Sequence, residues 1–147
     1  MKDRELDRIV EDIQRILPLF RRSFRNMDFS RVAEGLSHPH IMVMKILEEN
    51  ERLSVSAIGD RQFISRPQMT HIVDRLVGLG MAKRIVNEDD RRVIDVVLTD
   101  KGGDILKQCD AIIRQSIKQA LSVLDEKDID EMSAALSKLA EISYKLR

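Results

Sequence analysis

The sequence predicts a mainly α-helical chain with one small β-hairpin: a winged helix-turn-helix flanked by N- and C-terminal helices that serve dimerisation. Three observations carry that reading. Apolar residues recur at three- and four-residue steps in long stretches at both ends of the chain. Between them, residues 54–78 contain two helix starts and one glycine stop in quick succession. Directly afterwards, two runs of period-two character, 82–86 and 93–98, enclose a charged tip.

The first helix is predicted over 3–27, with Leu6, Ile9, Val10, Ile13, Ile16, Leu17, Phe20, Phe24 and Met27 as its stripe. Pro18 interrupts it and removes one backbone donor, which predicts a kink. Arg21, Arg22 and Arg25 lie on its other faces, as a solvated surface or as phosphate contacts. Residues 28–36 are read as a connection. Ser37 then suits an N-cap and Pro39 the first turn of a helix running to about Glu49 through Ile41, Met44 and Leu47. Ser54 caps a short helix from Val55 to about Gln62. Ser65 caps the next, Pro67 sits in its first turn, and Gln68 completes a capping box. Gly78-Leu79-Gly80 ends it.

In the hairpin, Ile94, Val96 and Leu98 share one face, while Asp89-Asp90-Arg91-Arg92 at the tip has nothing apolar to bury. A two-stranded hairpin is barely stable alone, so it must lean on a larger body. Thr99 caps a long helix with a stripe of Ile105, Leu106, Cys109, Ile112, Ile113, Ile117, Leu121 and Leu124, weakened locally by Gly102 and Gly103. Asp125 caps the last helix, whose stripe is Ile129, Met132, Leu136, Leu139, Ile142 and Leu146. The expected organisation is residues 1–36 as dimerisation helix and connection, 37–99 as the winged module, and 100–147 as further dimerisation helices. The terminal helices carry more apolar stripe than one small lobe covers, and a second copy of the chain is the simplest cover.

Composition bounds the function. The chain has 147 residues, 43% apolar and 3% aromatic, without Trp. No run approaches the ~20 apolar residues of a membrane span, and the charged start (Lys2, Asp3, Arg4, Glu5) lacks a signal-peptide core. A single cysteine, Cys109, excludes an internal disulfide and fits a reducing compartment, so the expected location is cytoplasmic. On its apolar stripe Cys109 reads as a buried structural residue. Net charge is zero, and residues 60–92 hold seven basic against five acidic side chains. Any affinity for nucleic acid therefore rests on placement, not on bulk charge.

The segments Ile-Ser-Arg-Pro-Gln-Met-Thr-His-Ile-Val-Asp-Arg-Leu (64–76), Gly-Leu-Gly-Met-Ala-Lys-Arg (78–84), Asp-Asp-Arg-Arg-Val-Ile (89–94) and Leu-Thr-Asp-Lys-Gly (98–102) resemble the MarR family of bacterial and archaeal transcription regulators. The motifs cover about 38–102, and the flanking helices fit the family's order. The resemblance implies a homodimer with interlocked terminal helices. It implies a recognition helix at 65–77 for the major groove and a wing at 82–98. It also implies a pseudo-palindromic double-stranded DNA operator, usual action as a repressor, and frequent release by a small-molecule effector. Three positions depart from the family pattern: Asn87 where aspartate often opens the wing motif, Phe63 where glycine is frequent in the turn, and Gln62 where a core leucine is common. Asn87 can still form an Asx-turn.

The expected DNA-contacting set is Ser65, Arg66, Gln68, Thr70, His71, Arg75, Arg84, Asp90, Arg91 and Arg92. Gln68 either closes the capping box on Ser65 or pairs bidentately with adenine. Thr70 suits a phosphate or a thymine methyl, and His71 a base or phosphate. Arg66 and Arg75 are phosphate candidates, with Arg75 alternatively held by Asp74 or nearby acids. Arg92 suits the minor groove, and Asp90 orients an arginine, because a free carboxylate near phosphate is repelled. His38 and His40 invite a metal reading, but their spacing does not share a helical face and no third ligand lies nearby, so neither metal nor cofactor is expected. The Met residues are core fillers, some of which line a cleft for a ligand between the terminal helices and the winged module. No phosphate loop, dinucleotide fingerprint, His-Glu-x-x-His or nucleophile elbow is present, which counts against an enzyme. A winged-helix module that binds protein instead of DNA is the remaining alternative, motivated by the zero net charge.

Overall fold

A computed structural model of the chain describes residues 2–25 and 27–146, with side-chain surroundings for 2–18 and 27–146. The side chains of Phe20, Arg21, Arg22, Phe24 and Arg25 lie outside the described residues. The helices are α1 (Lys2–Arg25), α2 (His38–Glu49), α3 (Val55–Gln62), α4 (Arg66–Gly78), α5 (Asp100–Leu121) and α6 (Glu126–Ser143), followed by one 3-10 turn, Tyr144–Leu146. The strands are β1 (Leu53–Ser54), β2 (Ala82–Val86) and β3 (Ile94–Leu98). The winged helix-turn-helix order expected from the sequence is present. Two compact units form, residues 1–113 and 114–147.

The first unit holds the core. Ile41, Val43, Met44 and Leu47 of α2 pack with Ile58 of α3 and Met69, Ile72, Val73 and Leu76 of α4. Met81 just before β2, Val96 of β3, and Leu106 and Cys109 of α5 close it. The connection after α1 is not idle, since Met27, Phe29 and Leu36 are buried in the same cluster. Lys45 and Asp110 link α2 to α5 through a 2.6 Å ion pair. Burial pushes the Cys109 thiol above its ordinary pKa, with the nearby Asp110 charge adding to the effect, so the thiolate is disfavoured.

The sheet has one strand more than the sequence suggested. β1 pairs antiparallel with β3, Leu53 opposite Val96, giving the order β1-β3-β2. Two residues are too short to show a period, but they brace the hairpin on its free edge. β3 begins at Ile94 instead of 93, opposite Val86. Of its apolar face, Val96 is buried, Leu98 half-buried and Ile94 exposed, because the hairpin projects beyond the body toward its tip. On the other face Asp95 is 4% exposed, a buried carboxylate that the alternation did not announce.

Several helix ends form as expected. Ser54 Oγ accepts the Ala57 N–H at 3.2 Å, and Asp125 Oδ1 accepts the Asp128 N–H at 2.8 Å. Leu76 O accepts the Met81 N–H and Val77 O the Gly80 N–H, both at 2.9 Å, with Gly80 at φ 70°. This is a Schellman stop, and it needs the left-handed glycine. Gly102 is not merely a weak helix former. A Cβ there would run into the Met81 carbonyl, so α5 starts flush against the base of the wing.

The second unit contains the end of α5 and the whole of α6. No residue of α6 is buried, and its stripe of Ile129, Met132, Leu136, Leu139 and Ile142 faces solvent. In the first unit, Leu6, Ile9, Val10, Ile13, Ile16 and Leu17 of α1 are likewise about half exposed.

Candidate nucleic-acid interface

The candidate interface is built on α4. Met69, Ile72, Val73 and Leu76 anchor its inner face in the core. That leaves Ser65, Arg66, Gln68 and His71 exposed on the other side. The turn that delivers α4 is tight. Phe63 ends α3 in the left-handed region at φ 53° and ψ 37°, and the Ile64 N–H returns to Gly59 O at 3.0 Å. The backbone thus takes the shape glycine would favour, with phenylalanine in its place. The Phe63 ring is 97% exposed.

Two expectations for α4 are corrected. The capping box of Ser65 and Gln68 does not form: the Ser65 side chain makes no cap hydrogen bond. The fixed φ of Pro67 holds the first turn instead, and Gln68 points to solvent with its carboxamide uncommitted to the cap. Thr70 is half-buried, and its hydroxyl donates to Arg66 O at 2.9 Å within the helix.

Arg75 is also placed differently from a simple phosphate contact. Its Nη2 donates to Glu34 O at 2.8 Å, and its guanidinium occupies the space a Cβ on Gly35 would need. Gly35 sits at φ 79°, so both its backbone and its missing side chain make room. Among the described residues, neither Asp74 nor another acid forms an ion pair with Arg75. Asp74 pairs with Arg84 of β2, which fastens the wing to α4 and engages Arg84 before any ligand arrives.

A capping box does form elsewhere. The Ser37 N–H donates to His40 Nδ1 at 3.3 Å, and the Ser37 hydroxyl lies 2.7 Å from the same nitrogen. His40 fills the third helical position of α2, where glutamate or glutamine is usual. Burial lowers its pKa below 6.5, and the charges of Arg75 and His71 lower it further. His40 therefore reaches the recognition helix electrostatically while capping α2. His38 is also lowered, by burial first and Lys45 second. No group of three metal-ligating side chains occurs among the described residues.

The wing tip is ordered by its own side chains. Asn87 Oδ1 accepts the N–H groups of Asp89 and Asp90, both at 2.9 Å, the Asx-turn its identity allows. Asp90 then grips Arg92 bidentately, Oδ1 to Nε at 3.0 Å and Oδ2 to Nη2 at 3.1 Å, and Oδ1 also accepts the Arg92 N–H. Those hydrogen bonds hold the Asp90 carboxyl below its ordinary pKa and raise that of Arg92. The arginine is aimed by a neighbour while remaining 90% exposed. Arg91 beside it is also exposed.

The start of α5 clamps the wing's base. Thr99 Oγ1 donates to Gly80 O at 2.7 Å and accepts the Gly102 N–H at 3.1 Å. Lys101 Nζ donates to Leu79 O at 2.8 Å. The Leu-Thr-Asp-Lys-Gly segment thus joins the recognition helix's stop, the wing and α5 in one junction.

An outward helix with a fixed inner face, a tight entry turn and an arginine-tipped wing make up a winged helix-turn-helix. A model of the MarR family matches residues 34–93. The repressor MdtR of Bacillus subtilis is 30% identical over 136 residues, 92% of this chain and 88% of that protein. The chain belongs to the MarR family. Among solved structures, YusO of Bacillus subtilis is 29% identical and superposes with a TM-score of 0.69 over 92% of this chain and 96% of that one. A cysteine-to-serine variant of MarR from E. coli, complexed with operator DNA, has the same fold at 18% identity, with a TM-score of 0.65 over 92% and 95% of the two chains. No helix among the described residues is long and apolar enough to cross a membrane.

Proposed function

We propose that the protein is a homodimeric repressor that binds a pseudo-palindromic operator and leaves it when a small molecule binds. The observation that carries this reading is the pairing of an exposed α4 face with a wing whose Arg92 is braced by Asp90. In this arrangement Gln68, Arg66, His71 and Ser65 meet the major groove, and Arg92 and Arg91 the minor groove and its phosphates. Asp90, Arg84, Thr70 and Arg75 act mainly by holding the parts in place. That MdtR is a repressor, and that the E. coli MarR variant was solved with operator DNA, supports the same reading.

Residues 37–99 form the DNA-binding module, and 1–36 with 100–147 supply the dimer contacts. The exposed stripes of α1 and α6 supply the apolar surface such contacts need. For an effector, an open cleft of about 590 Å³ lies between the end of α2 and the start of α5, with Leu47, Leu98, Thr99 and Lys107 in its lining. That volume suits a small ligand.

The test uses a duplex selected by the wild-type protein from a randomised library. Arg92→Ala is expected to weaken binding to every selected sequence and to flatten the salt dependence. Gln68→Ala is expected to relax preference at one base step, by about 1–3 kcal/mol for a bidentate contact. Selected half-sites are expected about one helical turn apart, ~10 bp. Failure of the wild-type protein to enrich any duplex would reject the reading.

A further inference from the structure

The wing tip rests on a side chain that no DNA would touch. Asn87 Nδ2 donates to Asp95 Oδ2 at 2.7 Å, and Asp95 is buried at 4% exposure. The other end of the same amide, Oδ1, holds the N–H groups of Asp89 and Asp90. The Asn87 backbone N–H also donates to Val93 O at 3.0 Å across the hairpin. Asp90 in turn grips Arg92. A continuous chain of hydrogen bonds therefore runs from a buried carboxylate, through a bifunctional amide, to the exposed arginine.

We infer that Asp95 is a positioning residue for the wing, acting through Asn87 to set Arg92, and that the two residues form a matched pair. The inference rests on the DNA-binding reading of the wing. Its chemistry is specific. A carboxylate accepts hydrogen bonds only, so the residue facing Asp95 must be a donor. It must also be an acceptor for the turn, and of the side chains that form Asx-turns only asparagine is both. Aspartate at position 87 would serve the turn but set two carboxylates within hydrogen-bond distance, one of them buried. The asparagine that departs from the family pattern is thus the complement of the buried aspartate. Charged groups near this pair include Glu88, Asp89, Asp90, Arg91 and Arg92 on the tip, Lys83 on the same sheet face of β2, and Arg52, which reaches Glu88 from the segment before β1.

The experiment compares Asn87→Asp, Asp95→Asn and the double exchange with the wild-type protein, on a duplex selected by the wild type, at pH 8. Asp95→Asn is expected to bind within about twofold of wild type, since an amide oxygen still accepts from Asn87. Asn87→Asp is expected to lose about tenfold at pH 8, where two carboxylates then face each other within hydrogen-bond distance. The double exchange is expected to return to wild-type affinity, because the amide placed at position 95 would then donate to the carboxylate placed at position 87. All affinities are read relative to wild type, and circular dichroism checks that each variant is folded. Equal binding by Asn87→Asp at pH 8 overturns the inference, as does failure of the double exchange to rescue. A wild-type protein that selects no duplex overturns the DNA-binding reading instead. The pair is then judged by amide exchange of Asp89 and Asp90, which must quicken in Asn87→Asp at pH 8 and slow again in the double exchange.

Discussion

Phe63 shows how a single residue can contradict its own backbone. Its left-handed conformation costs a non-glycine residue on the order of 1–2 kcal/mol, and its ring is solvent-exposed and returns almost no burial. Glycine would relieve the strain but add freedom to the unfolded chain, offsetting about half the gain. Phe63→Gly is therefore expected to stabilise the protein by about 0.5–1 kcal/mol, a rise of ~2 °C in thermal midpoint. A lower midpoint by calorimetry would show that the ring has a partner. The position of the turn was legible in the sequence, because Ser65 and Pro67 mark where α4 begins. The role of Arg75 was not. Its partner, the Glu34 carbonyl, lies 41 residues away, and no local pattern encodes a contact between a side chain and a distant backbone group. Gly35 was the available clue, a glycine in a stretch with no turn motif to require it.

Among the elements, α2 carries a pH-sensitive cap. His40 Nδ1 accepts from the Ser37 backbone only while it is unprotonated. Its folded pKa lies below the ordinary 6.5, chiefly through burial. The folded state thus binds fewer protons than the unfolded chain. This contribution to stability is complete above 6.5 and is lost as pH falls through the lowered folded value. His38 works in the same direction. The thermal midpoint is expected to drop between pH 7.5 and pH 5.5, and His40→Gln, which keeps the cap without the titration, is expected to flatten part of that drop, His38 supplying the rest. An unchanged slope in the variant would remove His40 as the cause. Element order was readable because caps and stripes are local: Ser54, Asp125 and Gly80 mark ends that the backbone then uses. β1 escaped notice because its identity as a strand comes from β3, not from its own two residues. The capping box was misplaced for a related reason. Ser65 and Gln68 have the right types, but Ser37 with an unconventional histidine is the pair that closes.

For the whole molecule, the exposed stripes of α1 and α6 demand cover. Leu136 and Leu139 are three residues apart on one face of α6, and both are exposed in the single chain. Replacing both with glutamate is expected to leave the winged module folded but shift sedimentation from dimer to monomer. Because two half-sites then bind independently, operator affinity is expected to fall by at least about a hundredfold. A variant that still sediments as a dimer would place the interface elsewhere. The apolar stripes were plain in the sequence, whereas their solvent exposure in an isolated chain is a property only the fold can reveal. The zero net charge also gains meaning at this scale. With no bulk field to draw in a duplex, the proposed recognition rests on a few cations held at the correct points, so loss of the braced Arg92 is expected to weigh more than it would on a basic protein.

The bond between Asn87 and Asp95 has a consequence for descent. A lineage exchanging this arrangement for its mirror, with the acid at the turn and the amide inside, has two routes of two substitutions each. Changing position 87 first confronts one carboxylate with another. Changing position 95 first leaves two amides that can still bond. Only the second path keeps the wing in order throughout, so the hidden position must mutate before the visible one.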